Sequence, residues 1–438
     1  MQSIPDARTV LYNFRMAKIF PFRGYRFNSA KITGTGDVVT QPYDRISPEM
    51  LDRYLAKSPY NVAHIIKTAN HSQAGRDLRK WIREGVLQQD PSPSFYPYQQ
   101  VFEFEGVGKA RLGFIGLIGL RQPDLQVRGH EEILPAPLQD RLHLIRETRS
   151  NEGLVFSLYS DPTLSIDELL GRFTKAHPPT LEVEDEFGTL NRLWRLSDPA
   201  LQANLMKDFR PFSLYIADGH HRFQTSLLYM RECLEQGWKC HSVEGYDKRM
   251  MAFFNMDSPA LAILPTHRAV RNVPSFDPSS FLSQLESVFE VVPQNSLDEL
   301  RAAMEGRVGA LGLVIGAPYG IFLLRARARQ VSLSRETGSV SEELDVSILH
   351  RHILEPFLGI GPNQLKGQRN VDYYRDEKRM ISRLQEGLYQ AAFLLNPTTL
   401  EQVRKVADAG LKMPQKSTDF YPKLLTGLVF MKMKMDRS

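Results

Sequence analysis

Phe212-Ser213-Leu214-Tyr215-Ile216-Ala217 runs directly into Asp218-Gly219-His220-His221-Arg222, and Phe223 to Leu234 follows with apolar residues at helical spacing. A short apolar strand, a tight turn and a helix, in that order, place the turn at the carboxyl end of a sheet strand. Ligands of α/β folds gather at such edges. Gly219 permits a backbone conformation closed to other residues, and the amino end of the following helix favours negative charge. Arg222 adds a planar cation suited to phosphate, and His220 and His221 titrate near neutrality. Asp218 can cap the helix, orient a histidine, hold a metal or act as a base. The turn is equipped to handle anions.

Outward from it, the chain keeps alternating strand and helix signals. Ser47-Pro48-Glu49 starts a helix, because the hydroxyl caps free amides and proline suits the first turn, so Tyr43 and Asp44 lie on the loop entering it. His64-Ile65-Ile66-Lys67 reads as a strand end and Ala74 to Glu84 as an amphipathic helix. Phe95 to Phe104 and Arg111 to Leu120 read as a hairpin with Gly106 and Gly108 in its turn. A polar segment, Arg128-Gly129-His130-Glu131-Glu132, precedes a helix through Asp140 and Arg141. Leu154 to Tyr159 is a buried strand, and Asp198 caps a helix from Pro199. From about residue 275 helices at Ser279 to Phe289 and Leu297 to Glu305 alternate with strands at Leu311 to Ile315 and Ile321 to Arg327. Helices at Val346 to Phe357 and Asp376 to Gln385 follow. The fold class is α/β or α+β, with mixed sheet layers and a mostly helical C-terminal region. The expected division is an N-terminal α/β region (1–205), a central region with the turn (206–275), a small α+β subdomain (276–340) and the helical region (341–438).

Composition limits the function classes. The 438 residues are 42% hydrophobic, enough for sizeable cores, and carry 55 Lys+Arg against 50 Asp+Glu, a formal charge of only +5. The nearest thing to a basic stripe is Arg325-Ala326-Arg327-Ala328-Arg329, whose arginines share one face of a strand, so a nucleic-acid partner is not expected. The 2 cysteines, Cys233 and Cys240, fit neither a disulfide framework nor a close metal pair. With no cleavable leader pattern and no run of apolar residues long enough to span a bilayer, the expectation is a cytoplasmic protein without membrane attachment. Oligomeric state is not legible.

Further candidates lie apart from the turn. Pro265-Thr266-His267-Arg268 sets His beside Arg at a strand end. His130-Glu131 offers an acid/base pair, since a carboxylate near a substrate hydroxyl can take its proton. Lys416-Ser417-Thr418, near Lys423, combines hydroxyls and ammonium groups in a Pro-flanked loop but lacks the glycine spacing of a P-loop. Histidines at 130, 220, 221 and 267 raise the question of a metal. Adjacent histidines rarely share one ion, so no stable metal site is expected, and Mg²⁺ brought by a nucleotide fits better.

From residue 17 to about 432 the sequence resembles the bacterial and archaeal domain-of-unknown-function family 1015. The resemblance rests on Gln41-Pro42-Tyr43-Asp44, His130-Glu131, Asp140-Arg141, Ala217 to Arg222, Leu264 to Arg268, Leu344-Asp345-Val346 with Leu349-His350, and Met413 to Thr418 with Phe420 to Lys423. Locally, about residues 205 to 235, the turn resembles the nucleotide-phosphate-binding turn of the ParB/sulfiredoxin-like superfamily, which includes free serine kinases. That resemblance implies a ParB/sulfiredoxin-like central element, with Gly219, His220, His221 and Arg222 on phosphate and Asp218 as a metal-linked or catalytic carboxylate. No cysteine lies in the turn, which speaks against sulfiredoxin chemistry, and the Gly-Glu-Arg-Arg run of ParB clamps is missing. The expected activity is transfer of phosphate from ATP or ADP, with Mg²⁺, to a small hydroxylated metabolite such as free serine. Asp218, His220 and Glu131 would be catalytic. Gly219, His221, Arg222, His267, Arg268, Lys416 and Ser417 would bind the nucleotide, and Tyr43, Asp44 and His130 the substrate. A non-catalytic nucleotide sensor and a metal-assisted phosphoester hydrolase are the alternatives.

Overall fold

The computed structural model describes residues 17–121, 127–327, 340–367 and 369–437. It is a mixed α/β structure. By internal contacts the chain divides into two units, the first made of residues up to Val127, Leu134–Ala260 and Lys423 onward, the second of Arg128–Ile133 and Leu261–Pro422. The stretch 206–275 is thus shared out at Ala260.

The first unit is organised by a mixed sheet whose path runs from Leu214–Asp218 through Val155–Tyr159, Lys248–Asn255, Val107–Gly119, Tyr96–Phe104 and Leu190–Leu193 to Leu181–Glu184. Val155–Tyr159 and Lys248–Asn255 pair in parallel, whereas the other pairs along this path are antiparallel. These two strands are mostly apolar and almost wholly buried, because both their faces are covered. Phe114, Tyr159, Phe209 and Phe253 pack ring against ring over the sheet at centroid separations of 5.0–5.4 Å.

The hairpin is tighter than the glycine pair suggests. Its turn is Glu105-Gly106, both at positive φ (53° and 74°), while Gly108 already sits in the ladder opposite Glu103. Two residues in the left-handed region match the twist of the flanking strands. His64-Lys67 is not a strand end. Ala63–Ile66 forms a helical turn, because the Asn61 side chain accepts a hydrogen bond from the Ala63 amide (2.9 Å) and donates to the Asp37 carbonyl (2.8 Å). Ser47 caps Pro48–Lys57, accepting from the Met50 amide at 3.2 Å, and Asp198 caps Pro199–Phe209, as their positions suggest.

The second unit carries an antiparallel sheet in the order Phe289–Gln294, Gly320–Ala326, Ala310–Ile315, Ala391–Leu394, His267–Val270, Val371–Tyr374. Helix Leu297–Met304 falls where the periodicity puts it, whereas the one expected from Ser279 to Phe289 spans Pro278–Leu285 and gives way to a strand at Phe289. His267 and Arg268 open a strand rather than close one. The helix expected from Val346 is α-helical over Asp345–Leu349, π-helical over His350–Leu354 and α-helical again over Glu355–Leu358. In the arginine alternation, Arg325 is a half-exposed partner of Glu290 across the ladder (3.4 Å), and Ala328 and Arg329 lie outside the described residues. No helix among the described residues is long and apolar enough to cross a membrane.

Candidate functional site

The strand Leu214–Asp218 slips register between Ile216 and Asp218, then turns through Gly219 at φ 92° into the helix His220–Glu235. Glycine is required there twice over. The conformation is left-handed, and a Cβ would sit 3.1 Å from the Arg222 guanidinium carbon. Gly219, not Asp218, is the N-cap residue, and no side chain among the described residues caps this helix. The Asp218 carboxylate accepts from the Gly219 amide (2.9 Å) and faces Arg222 Nη2 at 3.3 Å and Lys423 Nζ at 3.8 Å. The Asp218 side chain is 20% exposed, against 9% for Arg222 and 6% for Lys423. Burial alone would raise its pKa. Lys423, Arg222, Arg45 and His220 reverse that and hold the carboxyl well below the ordinary range. A carboxyl this acidic is a weak proton acceptor at neutral pH, so its chemistry is to hold positive charge.

Behind the turn lies a small cavity of about 40 Å³, lined among others by Tyr43, Arg141, Glu152, Arg222, Thr225 and Arg249. Arg222 donates to the Leu154 carbonyl and Arg249 to the Gly153 carbonyl, yet the Nε of each is buried and has no hydrogen-bond partner among the described residues. Burial, and then the neighbouring Arg222, push Arg249 down to about 9, with Glu152 opposing. Tyr43 is pushed up to about 12, first by burial and then by Asp44, while Arg222 and Arg141 oppose the shift and Asp218 adds to it. The Arg141 guanidinium lies 4.1 Å from the centre of the Tyr43 ring. Cations therefore outnumber carboxylates around one turn and one cavity.

The structure brings Tyr43, Asp218, Gly219, His220 and Arg222 into this cluster, with Asp44 exposed at its edge. His221 takes a different part. Its Nε2 accepts from the Leu134 amide at 2.9 Å, tying it to the start of the helix Pro135–Thr148. The other expected residues belong to the second unit. His130 is fully buried, with Nε2 3.1 Å from Thr418 Oγ1, and Glu131 bridges to Met413. His267 Nδ1 accepts from the Leu395 amide (3.2 Å), and burial, the largest of its causes, lowers the ring to about 4. Ser417 donates to the Pro414 carbonyl, and the Lys416 carbonyl accepts from Arg268 Nη2 at 2.9 Å. Sequence reasoning missed Arg45, Glu152 and Arg249 and placed Lys423 only beside a loop. The only local hint of Arg249 is its burial-prone position, second after Lys248 in a strand, Lys248–Asn255, whose next five residues are apolar. Among the described residues no group of three or more His, Cys, Asp or Glu is placed to hold a metal.

The profile of the family described as "Protein of unknown function (DUF1015)" matches residues 19–347. The chain belongs to that family. Among solved structures, this DUF1015 protein is similar to a conserved hypothetical protein from Pyrococcus furiosus (13% identity, 69% of this chain and 89% of that one, TM-score 0.34). It is similar also to a free serine kinase in complex with AMP (12%, 73% and 90%, 0.35) and to SbnI from Staphylococcus aureus with a C-terminal truncation (10%, 71% and 85%, 0.35). No curated protein matches the sequence.

Proposed function

We propose that the first unit binds the phosphates of a nucleotide at the Asp218–Arg222 turn and transfers phosphate to a small hydroxylated metabolite. The observation that carries this reading is the cation cluster at the turn, where Lys423, Arg222 and Arg45 surround Asp218 and where Arg222 and Arg249 each bury an Nε without a hydrogen-bond partner among the described residues. Guanidinium groups removed from water at a cost of several kcal/mol are offset by an anion that takes their hydrogen bonds. The position supports it, since the turn lies at the carboxyl end of a strand and the amino end of a sixteen-residue helix.

In this reading Lys423, Arg222 and Arg249 hold phosphate oxygens and stabilise charge on the transferring group. Asp218, kept ionised by its neighbours, meets the Mg²⁺ that accompanies ATP or ADP. Tyr43 and Asp44 lie on the substrate side, with free serine the first hydroxyl compound to test. The test is calorimetry with ADP, ATP and CTP, with and without Mg²⁺, on the intact chain and on Arg249→Met and Lys423→Ala, followed by mass spectrometry of metabolites. Saturable binding lost in both variants supports the site, and a protein that binds none of the nucleotides sinks it. Binding without any phosphorylated product marks a sensor, and chelator-sensitive phosphate release without one marks a hydrolase.

A further inference from the structure

The second unit buries a guanidinium that no carboxylate among the described residues neutralises. Arg268 is 1% exposed in the strand His267–Val270. Its Nη1 donates to the Thr266 carbonyl and its Nη2 to the Lys416 carbonyl (2.9 Å), while its Nε is buried without a hydrogen-bond partner among the described residues. The Tyr373 ring centre lies 5.5 Å from the guanidinium carbon. Among the described residues no Asp or Glu pairs with it, and burial lowers its pKa to about 10. His350, at the start of the π-helical segment His350–Leu354, stays neutral, because burial and then Arg268 lower it to about 3. Lys416 stands at φ 56°, a left-handed conformation that costs a lysine roughly 1 kcal/mol or more, and in it presents its carbonyl to Arg268. Strain and an unneutralised charge meet at one point.

That point is the wall of a cavity of about 230 Å³, whose other lining residues include Thr266, Asp345, Asn396, Thr398 and Ser417. At roughly 30 Å³ of liquid volume per water the space suits a small metabolite. We propose that this cavity is a binding site for a small hydroxylated metabolite bearing a carboxylate or phosphate, with its oxyanion on Arg268 and a hydroxyl toward Asp345. Asp345 already accepts from the Gly309 amide (2.8 Å) and Asn396 Nδ2 (3.1 Å), which fixes its carboxylate against the cavity. The oxyanion supplies the missing acceptor for Nε and offsets the buried charge.

The experiment titrates the full chain with lactate and, separately, with glycerol phosphate, the carboxylate and phosphate arms. One arm is expected to give saturable one-to-one binding, weakened about tenfold or more in Arg268→Lys, which keeps the charge but not the planar fork. The same arm is expected to bind Arg249→Met, which disables the first unit's cavity, as tightly as the unaltered chain. Arg268→Lys melting at the same temperature as the unaltered chain shows that the loss is local. The proposal is overturned if neither arm binds below about 10 mM, if Arg268→Lys binds undiminished, or if Arg249→Met abolishes the binding.

Discussion

Replacing Arg249 by Met should make the protein more stable and less able to bind. Arg249 is buried in the strand Lys248–Asn255, and its pKa falls from the ordinary guanidinium range to about 9. At 1.36 kcal/mol per pKa unit, the charged side chain is disfavoured in the folded state by about 5 kcal/mol. The hydrogen bond it donates to the Gly153 carbonyl returns about 2 kcal/mol. Met fills similar volume without charge, so the net gain is about 1–3 kcal/mol, a rise in melting temperature of roughly 2–10 °C for a unit of this size. Thermal denaturation with and without nucleotide reads both effects. The unaltered protein should melt lower alone and rise with ligand, whereas Arg249→Met should melt higher alone and respond little. A variant that melts several degrees lower yet keeps the full ligand response would show that Arg249 only braces the strand.

Three further outcomes follow from the same geometry. Gly219→Ala should cost about 1–2 kcal/mol in chemical denaturation and weaken nucleotide binding, because its Cβ meets Arg222 at 3.1 Å in a left-handed residue; unchanged stability would contradict that crowding. Asp218 is held below its ordinary pKa of 3.8, so its contribution is present above about pH 4 and lost as pH falls; Asp218→Asn should flatten the acid limb of the stability profile, and an unaltered limb would refute the pairing. Cys233, buried and pushed up to about 11, should resist iodoacetamide at pH 8 in the folded protein and react only on unfolding, which mass spectrometry of the alkylated peptide would show.

What was legible in the sequence was local. The strand and helix on either side of Asp218-Gly219 follow from apolar spacing, and the cap at Ser47 from the chemistry of a hydroxyl before proline. His64-Lys67 misled because its two isoleucines suit a strand, and the helical turn is set by Asn61, which takes the Ala63 amide at its start and ties it to the Asp37 carbonyl. Arg222 was legible as a residue of the turn, but not as one turned inward to the Leu154 carbonyl, because its partner is far away in sequence. Arg249 and Lys423 stayed hidden for the same reason. Their place beside the turn comes from sheet pairing and from a chain return that no local pattern encodes.

The chain path gives the turn a timetable. Lys423 opens the segment that rejoins the first unit, where Thr426 bridges to Thr40, Met431–Lys432 pairs with Ser150–Asn151 and Met435–Arg437 with Trp238–Cys240. All 261–422 must leave the ribosome before these partners arrive. A nascent chain halted at Pro422 would carry the Asp218 carboxylate without its ammonium partner and leave those strand edges open. The pairing of Asp218 with Lys423 is therefore completed late in synthesis, and a chain cut short there emerges without it.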